Sequence, residues 1–317
     1  MKFNHLVFLC CTIIFALSGL IVYQLTHAAP VKSKPTVLCT TSIIADIVKN
    51  IGDDSINVIA LMGPGIDPHL YKPVESDVLK IASANIIFYN GLHLEAKLAE
   101  LLEQLSTTQT TIAVTQNIPR TKLLAIDTHQ QIFDPHVWFD INLWIYAVNT
   151  ISKTLIQKFP THKKLYKKNS KKYVLQLRQL LKDTHKLMET IPAENRMLIT
   201  GHDAFSYFGR LYDCKVIGLQ GISTESAPGA YDVQKIIQLI CDQNIPAIFI
   251  ETSIPIKNII AIQEGVAAQN KFVDCGGELY SDALGPVGSA GQNYIGMITH
   301  NVQMIVQALQ AKKEAVL

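Results

Sequence analysis

Asp-Pro-His occurs twice in this chain, at Asp67-Pro68-His69 and Asp134-Pro135-His136, and a third histidine follows in Thr200-Gly201-His202-Asp203. The intervals between these three histidines are nearly equal. Further on, Tyr280-Ser281-Asp282 puts a carboxylate in a Gly-rich stretch. Each lies where an apolar run gives way to Gly, Pro and Asp, the places where strands end and loops present side chains. Three imidazoles and one carboxylate complete the coordination sphere of a divalent transition metal. A ligating imidazole must be neutral, with its free ring nitrogen fixed by an acceptor. Asp67, Asp134, Asp140 and Asp203 are the nearby candidates for that second role. One histidine beside one aspartate is weak evidence, so His5, His27, His93, His129, His162, His185 and His300 are assigned no metal.

The elements that must position these groups alternate. Before the first Asp-Pro-His, the pattern predicts a strand at 36–40, a helix starting at an N-cap Ser42, and a strand at 56–61. Helices at 75–84 and 94–105 alternate with strands at 86–89 and 111–114, and a helix at 140–159 follows the second motif. After position 191 the theme repeats. Strands are predicted at 197–200, 215–219, 247–250 and 271–274, and helices at 203–211, 231–241, 256–268 and 293–310. Such alternation means α/β architecture with a parallel sheet in each half. Open parallel sheets bind ligands at the carboxyl ends of their strands, and His69 and His202 directly follow strands. The metal would therefore lie in a cleft between two lobes, with His69 and His136 from the first and His202 and Asp282 from the second.

Between the halves, nine of the 28 basic residues fall within 161–191 against two acidic ones, Asp183 and Glu189. Apolar Tyr173, Leu177, Leu180, Leu181, Leu187 and Met188 recur beside them with helical period. No aromatic residues alternate with the lysines as stacking platforms for nucleic acid would. The cluster is thus read as the solvated face of one long helix linking the lobes, and nucleic acid is excluded as a partner. The expected division is a signal segment 1–29, an N-terminal α/β lobe 30–160, a linking helix 161–191 and a C-terminal α/β lobe 192–317.

The signal reading rests on Lys2, an apolar run at 6–25 and the small residues of His27-Ala28-Ala29-Pro30. Cleavage is expected after Ala28 or Ala29, with an uncleaved anchor as the alternative. Neither Cys10 nor Cys11 follows a small-residue lipobox. The remaining cysteines, Cys39, Cys214, Cys241 and Cys275, are scattered without C-x-x-C spacing, which argues against a thiolate zinc site or a dense disulfide framework. One or two bridges fit an exported protein, but buried or incidental thiols are the simpler expectation. With 48% apolar and 17% charged residues the chain is not a disordered one.

Five ordered motifs carry a family resemblance: Gly63-Pro64-Gly65-Ile66-Asp67-Pro68-His69, Asn90-Gly91-Leu92-His93-Leu94-Glu95, Asp134-Pro135-His136-Val137-Trp138, Thr200-Gly201-His202-Asp203-Ala204-Phe205-Ser206-Tyr207-Phe208 and Leu279-Tyr280-Ser281-Asp282. Together they resemble the periplasmic zinc/manganese-binding proteins of ABC importers, the TroA-like family, over essentially the whole mature chain. The resemblance implies a bilobal monomer with a rigid linking helix and no enzymatic activity. It would capture a divalent cation outside the cytoplasm and pass it to a membrane permease. It also implies that His69, His136, His202 and Asp282 are the four ligands. Manganese- and iron-selective members tend to carry glutamate where this chain has His202. An imidazole there softens the site and favours zinc, with manganese next. Zinc-specific relatives often have a long His- and acid-rich loop, whereas 117–133 here holds only His129 and Asp127.

Two rival functions fit parts of the pattern. A zinc hydrolase would use three histidines and an activated water, with Asp203 or Glu251 as base. No H-E-x-x-H motif supports it, and Asp282 would fill the open position. An exported adhesin with a structural metal fits the signal but not a single site bridging two lobes.

Overall fold

The computed structural model describes residues 34–310, so the expected signal segment 1–29 lies outside the described residues. The first half alternates β1 (Thr36–Cys39), α1 (Ser42–Gly52), β2 (Asn57–Ala60), α2 (Glu75–Ser83), β3 (Ile86–Tyr89), α3 (Ala99–Ser106) and β4 (Thr111–Ala113). All four strands are parallel, in the order β2-β1-β3-β4. Strand side chains alternate between faces. Val37, Cys39, Ile86 and Phe88 therefore enter the main core, while Leu38 and Ile87 enter a second core with Leu61, Met62, Ile81, Leu98 and Leu102. Burial on both faces is why these strands read as unbroken apolar runs.

A short antiparallel hairpin, β5 (Ala125–Asp127) with β6 (Ile132–Phe133), lies within 117–133, where no strand is predicted. Next come α4 (Ile141–Lys158) and α5 (Lys163–Met188), whose 26 residues span about 39 Å at 1.5 Å per residue. Tyr166, Ser170, Tyr173, Leu177, Leu180, Thr184 and Met188 form its buried stripe, and all nine basic residues of the segment are exposed. The expected solvated face is what the structure has. Polar bonds fasten α5 to both halves. Tyr173 donates to Asp46 Oδ2 at 2.8 Å on α1, and Thr184 on α5 accepts from the Tyr212 hydroxyl at 2.7 Å.

The second half runs β7 (Met197–His202), α6 (Ser206–Tyr212), β8 (Lys215–Gln220), α7 (Ala230–Gln243), β9 (Ala247–Glu251), α8 (Lys257–Ala267), β10 (Asp274–Leu279) and α9 (Tyr294–Gln310). β7 pairs with β8 and β10 with β9, both parallel, and β7 abuts β9. The strand sequence across this half, β8-β7-β9-β10, repeats that of the first. Ile199, Leu219, Ile236, Ile240, Ile248 and Ile262 form its own core.

Several expectations shift. The helix predicted from an N-cap Ser42 is capped instead by Thr41, whose hydroxyl accepts from the Ile44 N–H at 3.3 Å. Ser42 is freed to accept from the Leu284 N–H across the molecule at 2.9 Å. The last strand lies at Asp274–Leu279 rather than 271–274. Its ladder slips between Cys275 and Glu278, where Gly277 takes a φ of 115° open to glycine alone. α6 starts three residues later than expected, because Asp203 turns back to accept from Ser206 at 2.7 Å. Among the described residues every cysteine is free, with Cys39, Cys214 and Cys241 buried and Cys275 exposed. No helix among them is long and apolar enough to cross a membrane.

Candidate metal centre

His69 sits in the loop between β2 and α2, and His136 in the turn before α4. His202 is the last residue of β7, and Asp282 follows β10. Three of the four therefore leave the carboxyl side of parallel strands, the crevice that open sheets reserve for ligands. One local device holds His202 there. Gly218 of β8 pairs with Thr200, and a β-carbon on it would lie 2.3 Å from the Asp203 nitrogen, so only glycine admits the turn that follows His202.

The four side chains each offer one ligand atom, and these atoms all lie within 4.8 Å of one another. His69 Nε2 is 3.2 Å from His136 Nε2 and 3.9 Å from Asp282 Oδ2. His136 Nε2 is 3.6 Å from Asp282 Oδ1, and His202 Nε2 is 3.2 Å from Asp282 Oδ2. Donors at 2.0–2.2 Å from a tetrahedral ion stand about 3.3–3.6 Å apart, and the four separations here, 3.2–3.9 Å, bracket that range. None of the four is more than 2% exposed. Asp282 Oδ1 and Oδ2 and His202 Nε2 are buried yet make no aligned hydrogen bond. Buried groups left this way cost stability unless something binds them. A divalent cation there would satisfy all three. Among the described residues no other cluster of this kind occurs.

The electrostatics suit a cation. Burial opposes charge on Asp282, but the neighbouring histidines, His202 first, outweigh it and hold the carboxyl well below its usual range. Burial pushes His69 down to about 4, so it is neutral and ready to ligate at neutral pH. Burial pushes His202 the same way, yet Glu251 and then Asp282 win and hold it well above the usual imidazole value. A metal taking His202 Nε2 would therefore compete with a proton for that ring.

The aspartates expected behind the rings divide. Asp134 serves as expected: its Oδ1 accepts from the His136 N–H at 2.9 Å and lies 2.7 Å from ring Nδ1. Asp67 accepts from the His69 N–H at 2.8 Å, while its other oxygen accepts from Thr224 at 2.6 Å. Asp140 and Asp203 are elsewhere. Asp140 caps α4 through the Asn142 N–H and pairs with Arg210 at 3.1 Å, and Asp203 holds Ser206. The acceptor behind His202 is Glu251, with Oε2 2.7 Å from Nδ1 and Oε1 accepting from the His202 N–H at 2.9 Å. Glu251 ends β9, beside β7, and its position at a strand's carboxyl end was the available signal.

A further motif, Asn90 to Glu95, supports the first lobe's candidate ligands. Glu95 is buried and accepts from the Thr40 hydroxyl at 2.7 Å and from the Asn90 and Gly91 N–H groups at 2.6 and 3.2 Å. That anchors a loop in which Gly91, Leu92 and His93 all have positive φ. Asn90 then donates to the Pro135 carbonyl at 3.0 Å, one residue before His136. Across the lobes, Trp138 Nε1 donates to the Ser281 carbonyl at 3.0 Å and Tyr294 donates to the Trp138 carbonyl at 2.6 Å.

The fold and this buried cluster of three histidines and one aspartate define an α/β metal-binding protein of the two-lobed, helix-linked kind. The chain belongs to the family described as zinc-uptake complex component A, periplasmic, which matches residues 37–308. It is 42% identical over 289 residues to the zinc-binding protein TroA of Treponema pallidum (strain Nichols), covering 90% of this chain and 93% of that protein. It is 44% identical over 274 residues to the manganese-binding lipoprotein MntA of Bacillus subtilis (strain 168), covering 86% and 89%. The solved structure of the periplasmic zinc-binding protein TroA from Treponema pallidum superposes with a TM-score of 0.85, covering 87% of this chain and 99% of that one. The family's description is of periplasmic proteins.

Proposed function

We propose that this protein captures a divalent transition metal outside the cytoplasm and delivers it to the permease of an ABC importer. His69, His136, His202 and Asp282 are the ligands in this reading. The observation that carries it is the convergence of three imidazoles and a carboxylate, with the Asp282 oxygens and His202 Nε2 buried and without hydrogen-bond partners. Residues 30–160 and 192–317 act as two lobes joined by 161–191, each supplying two ligands. Residues 1–29 direct export, with cleavage after Ala28 or Ala29.

The relatives named for zinc and for manganese are similarly close, so their names do not decide the metal. The donor set favours zinc first and manganese second, because three nitrogen donors and one oxygen suit the softer ion. Catalysis is disfavoured. Asp282 takes the position a hydrolytic water would need, Glu251 is engaged by both the backbone and the ring of His202, and Asp203 is engaged by Ser206. Matching relatives are named as binding proteins and transporter lipoproteins.

The test is metal analysis of protein from its native compartment together with competition titration of zinc against manganese. One equivalent of metal is expected, and Asp282→Ala should cut zinc affinity by more than about 100-fold while the fold is kept. Unchanged affinity in that variant would remove the site.

A further inference from the structure

The two Asp-Pro-His motifs are built alike but used differently. Asp134 turns its carboxylate onto the ring of His136, within its own lobe. Asp67 shares its carboxylate between the His69 N–H and the hydroxyl of Thr224, which belongs to the other lobe. Thr224 lies in the connection 221–229 between β8 and α7. The next residue, Glu225, makes a second bond across the cleft, to Lys97 at 2.5 Å. Within its own lobe the connection is braced by Gln220, whose amide donates to the Ser226 carbonyl at 3.0 Å.

These two cross-lobe bonds differ in kind from those at the back of the site. The Trp138–Ser281 and Tyr294–Trp138 bonds are buried in the main core. The Lys97 and Glu225 side chains are 44% and 41% exposed, and Thr224 lies just beneath them at 7%. Segments held by a few polar bonds near solvent open at far lower cost than segments held by a core. Nevertheless His69, directly behind, is 2% exposed.

We propose that 221–229 is a latch, and that Thr224, acting through Asp67 on His69, sets how slowly metal leaves the site. This rests on the metal-binding reading above. Metal held by His69 cannot depart until that ligand retreats or its cover lifts, and both movements break the Thr224–Asp67 bond. Thr224 is a positioning residue here, since it touches the ligand's neighbour rather than the metal. The Lys97–Glu225 pair adds a weaker, salt-sensitive hold at the rim.

Stopped-flow release of Zn2+ into excess chelator tests this with the purified full chain. Thr224→Val keeps the shape and removes the hydroxyl, and should speed release about tenfold, the effect of losing one charge-assisted hydrogen bond. Thr224→Ser retains the hydroxyl and should stay within about twofold of wild type, which a packing role for the methyl group would not give. Lys97→Met should speed release about two- to threefold at low salt and less at high salt. If Thr224→Val binds one equivalent and releases it at the wild-type rate, or if Thr224→Ser is as fast as Thr224→Val, the latch is wrong and the site stands. If the wild-type chain itself retains no stoichiometric Zn2+, the metal-binding reading fails and takes the latch with it.

Discussion

Replacing Glu251 by glutamine tests the least obvious part of the centre. The carboxylate faces one residue twice: Oε1 accepts from the His202 N–H, and Oε2 lies 2.7 Å from ring Nδ1. An amide has one acceptor oxygen, so its NH2 must face one of those two donors. Without metal the imidazole escapes by changing tautomer: Nδ1 accepts from the amide and Nε2–H turns to Asp282. With metal on Nε2 the proton must sit on Nδ1, and the clash remains. The cost therefore falls on the loaded state and appears as lost affinity. Charge acts in the same direction. Glu251 attracts both the proton that competes for His202 and the metal that replaces it, but the metal carries twice the charge. Removal of the carboxylate behind a ligating histidine typically costs 10–100-fold, about 1.4–2.7 kcal/mol. Zinc competition titration at neutral pH measures the loss. Calorimetry in two buffers of different ionisation enthalpy measures proton release, which should be near one per metal in wild type and smaller in Glu251→Gln. An affinity within twofold of wild type with unchanged proton release would refute the reasoning.

The remaining predictions concern the metal-free protein. His69 is pushed down to about 4 from 6.5, so between those values the unfolded chain binds more protons there than the native chain, and the native state loses stability as pH falls. Relative to His69→Gln, wild type should therefore weaken by up to about 3 kcal/mol from pH 6.5 to pH 4 in urea unfolding, and a pH-independent difference would contradict it. Glu95→Ala strips the acceptor from Thr40, Asn90 and Gly91 and should cost about 3 kcal/mol or more. Its unfolding midpoint, with the m-value held, reads this directly.

Strand and helix order was legible because apolar runs bounded by Gly, Pro and Asp leave few ways to alternate. The same rule at strand ends made His69 and His202 stand out. What escaped was long-range pairing of common residues. Glu251 carries no local motif, and its role depends on β9 lying beside β7, which periodicity does not specify. Asp140 and Asp203 lie near the histidines in sequence, yet a helix N-terminus and a neighbouring serine claim them instead. Thr224 and Lys97 are ordinary surface types until the fold brings two distant loops together. The slipped ladder at Gly276 and Gly277 moved β10 beyond its expected position because two glycines read as a loop also tolerate a bulge.

The indole of Trp138 joins the two lobes one residue from Asp282 and two residues from His136. That bond makes those two donors a fixed pair, whereas His69 depends on a surface loop and His202 must first shed a proton. If the four side chains hold metal as proposed, loading is ordered in time. A hydrated ion would meet a two-toothed seat first, exchange its first waters there, and acquire the other two donors afterwards. Unloading runs backwards through the same half-coordinated ion, which is the species a receiving membrane partner would have to compete for.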